Sequence, residues 1–196
     1  MKRFFLLITL FLPLIINAQG VEYGIGGGIS TNTAPLSLAL PSTINETGWK
    51  PSYAGNVTFL LNLGPWQVGI TAEAYEIKTT RDIVTTLPEG DVHTKTNIEY
   101  ASPQVPILLQ INRVFYMHKS NIYFGLSGWS GVNLLKNAAG EIKYNELQPV
   151  FGAQLGYTLG LSDLIGINAN LAARYNAIPG NPILSFPLTI GIRIRP

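Results

Sequence analysis

Four charged residues stand where a charge has work to do only if it finds a partner. They are Glu22 in VEYGIGGGIS, Glu73 in QVGITAEAY, Arg174 in NANLAARYN and Arg193 in LTIGIRIRP. Each is flanked on both sides by aliphatic or aromatic residues and shares its parity with Gly, Ser, Thr, Asn or Gln. Alternate side chains of a strand point to opposite faces, so two acids and two bases are expected on one polar face. Buried there, they must pair. The predicted chemistry is an interior charge network of ion pairs and hydrogen bonds that fills space. The alternative is a gate or a binding site for a small polar solute. Glu99 and Arg195 are further candidates for the same face.

Other chemistry is sparse. There is no cysteine, which excludes disulfides, thiolate metal sites and a cysteine nucleophile. The histidines are His93 and His118. His118-Lys119-Ser120 holds the residue types of a His/Ser pairing, but within one turn, where such residues are ordinarily solvated. Asp91 and Glu89 near His93 are a thin basis for a metal site. Gly24 to Gly28 lack the lysine and helix of a phosphate loop. No catalytic, metal or cofactor residues are assigned, and no enzyme activity is expected.

The elements that must position the four charges are strands. Period-two alternation predicts eight, over about 20–30, 52–62, 66–78, 94–115, 122–135, 147–159, 164–176 and 183–196. In the last, Leu184, Phe186, Leu188, Ile190, Ile192 and Ile194 form one long apolar face. Val21, Tyr23, Ile25 and Ile29 do so in the first, and Tyr53, Val57, Phe59 and Leu61 in the second. In the fourth, Ile98 and Tyr100 have even parity, whereas Ile107, Leu109, Ile111 and Phe115 have odd parity. A one-residue slip is expected between them, at Pro103 and Pro106, because prolines in sheets gather at bulges.

With only 12% charged residues against 46% hydrophobic, the chain lacks the charge of a soluble surface. A lipocalin-like soluble barrel would put its apolar face inside. Here the polar face carries the charges that need pairing, so lipid is expected outside. The fold class is therefore all-β, an eight-stranded antiparallel transmembrane up-and-down β-barrel. Connections alternate between long (31–51, 79–93, 136–146) and tight (63–65, 116–121, 160–163), as in barrels with short periplasmic turns and longer outer loops, although the last outer connection, 177–182, is short. Aromatics near strand ends, Tyr53, Trp66, Tyr100, Tyr123, Tyr157 and Tyr175, suit interfacial girdles.

Residues 1–18 read as a signal peptide: Lys2 and Arg3, an apolar run from Phe4 to Ile16, then Asn17-Ala18. The run is shorter than the ~20 residues a spanning helix needs. Residues 19–196 are then the barrel domain. Without Lys2 and Arg3, the 13 basic residues become 11, equal to the 11 acidic ones. The near-neutral balance gives no basis for a nucleic-acid partner.

The chain resembles the small outer-membrane β-barrel proteins of Bacteroidetes that include the PorT-like barrels. The likeness rests on Asn17-Ala18-Gln19, on Val105-Pro106-Ile107-Leu108-Leu109 and on Ile122-Tyr123-Phe124-Gly125-Leu126. It implies the bacterial cell outer membrane and, for PorT-like members, type IX secretion. The function expected is structural or partner interaction, in contact with outer-membrane lipid and with a protein partner through outer loops 31–51 and 79–93. In the first loop, Leu36, Leu38, Leu40 and Trp49 would either cover the barrel mouth or contact that partner. The alternatives are a narrow small-solute channel or ligand carrier, and an outer-leaflet lipid-modifying enzyme.

Overall fold

The computed structural model describes residues 20–32, 51–86, 92–136, 142–144, 148–177 and 183–196; side chains are described for these except 77–102, 132–136 and 142–144. The expected signal peptide 1–18 and loop residues 33–50 lie outside the described residues, as do 87–91 of the second outer loop.

The strands are β1 (Gly20–Asn32), β2 (Ser52–Leu63), β3 (Trp66–Thr86), β4 (Val92–Met117), β5 (Ser120–Lys136), β6 (Ile142–Tyr144), β7 (Gln148–Gly160), β8 (Ile165–Asn176) and β9 (Ile183–Ile194). Eight of them form a closed antiparallel ring, β1-β2-β3-β4-β5-β7-β8-β9, sealed by the β9–β1 pairing. Closure leaves no open edge in the ring. The three-residue β6 is additional to the eight predicted strands and pairs with Leu134–Lys136 of β5 beyond the ring.

The pattern of burial is inverted relative to a soluble protein. Gln67, Thr71, Gln110, Asn112, Gln154, Asn170 and Thr189 are buried, whereas Ile25, Val57, Ile107, Leu126, Leu155 and Ile190 are exposed. Apolar residues on the outside and polar ones within are the arrangement of a membrane barrel. Leu61 departs from its expected outward exposure: it is buried, between Val21 of β1 and Val68 of β3. Tyr123 departs too: it is 1% exposed and points inside, so it belongs to no girdle. Trp129, on the same parity as Tyr123 and Ser127, is half exposed near the far end of the β5–β7 ladder.

The tight connections behave as their residues dictate. Leu63 pairs with Trp66 across Gly64-Pro65, and Gly64 has φ 60°. A two-residue hairpin with positive φ at its first position is a type II′ turn, which needs glycine there and accepts proline next. Val114 N donates to Pro65 O at 2.8 Å, tying this turn to β4. At the third tight turn, Ser162 Oγ accepts from Leu164 N and Ile165 N at 3.3 and 3.1 Å.

Two features of β3 and β4 differ from expectation. The register shift lies between Arg81 and Ile83, opposite Ile98 and Lys95, and not at the prolines. At Pro106 the β3 ladder is interrupted but resumes in the same register. On the other side, Pro106 faces Gly131, where a Cβ would lie 3.2 Å from the proline's Cα and Cβ. The opposing glycine makes room for the ring, so no bulge is required.

The second feature is length. β2 pairs with β3 only as far as Tyr75, and β5 pairs with β4 only from Gln104 onward. Beyond those points the ladder pairing described for β3 and β4 is with each other, out to Thr86↔Val92, although Ser52 Oγ of β2 still donates to Glu76 O. Much of the expected loop 79–93 is therefore a two-stranded ribbon rising from the barrel wall.

Candidate functional site

The four charges predicted for the interior lie inside the barrel, in two clusters. Arg174 from β8 is fully buried and grips Glu73 of β3 with a two-pronged fork, Nε–Oε2 2.9 Å and Nη2–Oε1 2.6 Å. Its Nη2 also donates to Gln154 Oε1 at 2.9 Å, and its Nη1 to Ser127 Oγ at 3.0 Å and Ala153 O at 3.3 Å. All five N–H donors of the guanidinium are thus used. Gln154 Nε2 donates in turn to Gln110 Oε1 and Asn112 Oδ1, both at 2.7 Å. The chain of contacts crosses the lumen from β3 through β8 and β7 to β4, with net charge zero.

The second cluster sits near the short-turn end. Glu22 of β1 accepts from Arg193 Nη1 at 2.6 Å and from Arg195 Nε at 2.7 Å. Glu22 and Arg193 are buried, whereas the Arg195 side chain is 36% exposed. The Arg193 guanidinium also lies 4.5 Å from the centre of the Tyr123 ring, within cation–π range. Glu99 falls among the residues whose side chains are not described.

Tyr123 separates the two clusters. Its hydroxyl lies 3.3 Å from Asn168 Oδ1 and 3.2 Å from Asn170 Oδ1. Asn168 Nδ2 donates to Thr158 Oγ1 at 3.0 Å. The ring crosses Gly156, its direct partner on β7: a Cβ there would lie 2.0 Å from Tyr123 Cζ. Only a residue without a side chain admits the ring so close. Towards the long-connection end, Tyr75 donates to Asn176 Oδ1 at 2.7 Å, and Asn176 Nδ2 donates to Ser185 Oγ at 3.2 Å. A cavity of about 10 Å³ lies between the clusters, bordered by Thr58, Thr71, Glu73, Gln110 and Tyr123. That is scarcely the room one water occupies.

The roles of Gln154, Ser127 and Tyr123 are not readable from parity alone, because they depend on which strands face each other across the lumen. Arg113 was also missed. It occupies the outward row of β4 between Ile111 and Phe115, and its guanidinium lies 5.0 Å from the Trp66 ring and 5.8 Å from the Phe115 ring. A cation resting on aromatics at a barrel rim suits an interfacial belt. His118 is exposed and Ser120 is half-buried, and no hydrogen bond joins them among the described residues. No cluster of three or more metal-ligating side chains occurs among the described residues.

No protein-family model matches the chain, and no curated protein matches it. Solved structures do. Neisserial surface protein A superposes with a TM-score of 0.61 at 9% identity, covering 90% of this chain and 97% of that one. The outer membrane protein OprG from Pseudomonas aeruginosa superposes with a TM-score of 0.58 at 14% identity, covering 91% and 97%. At such identities the likeness defines the fold. The chain is a closed eight-stranded β-barrel of the bacterial outer-membrane type.

Proposed function

We propose that this chain is a sealed outer-membrane barrel that serves as a structural or partner-binding protein. In this reading residues 1–18 are a secretory signal peptide and 19–196 the barrel domain. The observation that carries it is the interior. Two ion-pair clusters and the Tyr123 layer cross the lumen, and the cavity between them is about 10 Å³, which supports a plug over a solute path. The interior charges are engaged with one another, and no nucleophile–base pair occurs among the described interior residues, so the reading is non-enzymatic. The partner-binding element is the ribbon of β3 and β4 beyond Tyr75 and Gln104. Both of its strands end their pairing with the ring there, and strand edges accept an added strand from another protein. Membership of a secretion or surface complex is the finer proposal, supported by the resemblance to PorT-like barrels.

The barrel folded into a planar bilayer is expected to give no stepwise ion current. Regular conductance steps would overturn the plug. In cells, crosslinking from the ribbon followed by isolation from detergent-solubilised outer membrane is expected to capture a protein. A variant lacking 80–96 should keep its barrel and lose that protein.

A further inference from the structure

Among the described side chains, Arg113 is the only cation on the outward wall. A charge on a lipid-facing wall is costly unless it lies at the water interface, and there it still seeks a counter-charge. Arg113 has the interface. Its strand partner is Trp66, the residue after the Gly64-Pro65 turn, and Val114 N donates to Pro65 O beside it. It lacks the counter-charge: the described ion pairs are those of Arg174, Arg193 and Arg195, and no hydrogen bond holds the Arg113 guanidinium among the described residues. The Trp66 and Phe115 rings hold it instead, their centres 5.0 and 5.8 Å away. Aromatic rings engage a guanidinium without using its N–H donors. The planar fork of donors is left for an acceptor from outside the protein, and phosphate oxygens match that fork.

The wall beyond Arg113 supplies the second half of a site. Across the strands, Arg113 pairs with Phe124, Phe124 with Leu155, Leu155 with Leu171 and Leu171 with Leu188. This row starts at Trp66 beside a short turn and continues through Ile29 to Tyr53, next to the first residue of β2 at the opposite rim. It therefore climbs the wall from rim to rim, as tilted strands require, and Arg113 is its only charged member. Two strands on from Arg113, about 10 Å by the usual strand spacing, lies an apolar groove of about 280 Å³ lined by Leu155, Tyr157, Leu171 and Leu188. Ala169 also lines it, a small residue in register between Tyr157 and Ile190. We propose that cation and groove together form a phospholipid site. The phosphodiester of a lipid in the leaflet at the short-turn rim sits on Arg113, and one acyl chain runs up the row over Phe124 into the groove. The groove opens into hydrocarbon, so an acyl chain is what meets it, and the unpaired cation below selects a phospholipid over a neutral lipid. The site rests on the lipid-facing wall and not on the sealed interior.

The test places the full barrel in vesicles of digalactosyldiacylglycerol, a bilayer lipid without phosphate. The vesicles carry a trace of phosphatidylglycerol with a photoactivatable group in its acyl chain, and crosslinked peptides are mapped by mass spectrometry. Crosslinks are expected to concentrate on the strands of the groove, at 122–126, 155–157 and 169–171, and to fall as unlabelled phosphatidylglycerol is added. Arg113→Gln should lower them several-fold, and Arg113→Lys, which keeps the charge without the fork, should lie between. Ala169→Phe fills the groove from outside the wall and should move the crosslinks off it. Retained heat-modifiable mobility on gels checks that each variant is folded. A diacylglycerol probe with the same chains and no phosphate should label the wall evenly. Even labelling by the phosphatidylglycerol probe, groove labelling that Arg113→Gln leaves unchanged, or equal groove labelling by the phosphate-free probe would each overturn the proposal. The measurement reads only the outer wall, so its failure leaves the sealed-barrel reading untouched.

Discussion

Arg174 shows how much depends on a single buried partner. Its Glu73 fork is flanked by Gln154, Ser127 and the Ala153 carbonyl, so it is fully satisfied. Glu73→Gln leaves that guanidinium without its counter-charge, and breaking a buried pair costs about 3–5 kcal/mol. Urea unfolding of the barrel in lipid vesicles measures it. Glu73→Gln combined with Arg174→Gln is expected to lose less than the sum of the single losses, since contacting residues couple. Gly156→Ala is a separate test of the Tyr123 layer. Its methyl group would enter the Tyr123 ring, with an expected loss of about 1–3 kcal/mol. Adding Tyr123→Leu should recover part of it. The four charges were legible in the sequence because their parity set them apart from oily neighbours. Gln154 and Ser127 were not, since strand register across the lumen chooses which polar residue meets Arg174.

Among the elements, legibility followed the lipid. Where strands cross the membrane, one face must be apolar, and period two stands out. The sequence of the ribbon points to a loop because residues 79–93, TTRDIVTTLPEGDVH, lack a continuous apolar face. Outside lipid a β-ladder does not need one. The remaining signal was β-propensity, in Thr79, Thr80, Ile83, Val84, Thr85 and Thr86. Likewise the prolines misplaced the slip, because Gly131 accommodates Pro106 without a bulge. Gly64 makes the sharper test of an element. Its φ of 60° is unfavourable for a residue with a Cβ, and Gly64→Ala is expected to cost about 1–2 kcal/mol in the same unfolding experiment.

For the whole molecule the decisive property is which side is oily. Ile190 is 63% exposed in the middle of β9, while its neighbour Thr189 is buried. On a soluble protein, Ile190→Arg at such a position would be nearly neutral. On a lipid-facing wall it should cost about 2–4 kcal/mol at the bilayer midplane. Unfolding in vesicles separates the two outcomes. The fold class was the most legible property of all, because low charge and long alternating faces are required of every strand at once and not of one residue.

The clasp of Glu22 with Arg193 and Arg195 joins residues 171 and 173 positions apart. β1 and β9 supply the seam that seals the ring. Every other wall contact of the ring can form between strands that follow one another, at modest loop cost. The seam cannot. Its closure therefore carries the largest loop cost of any wall contact in the ring. The clasp fastens the one pairing that turns a curved sheet into a closed wall.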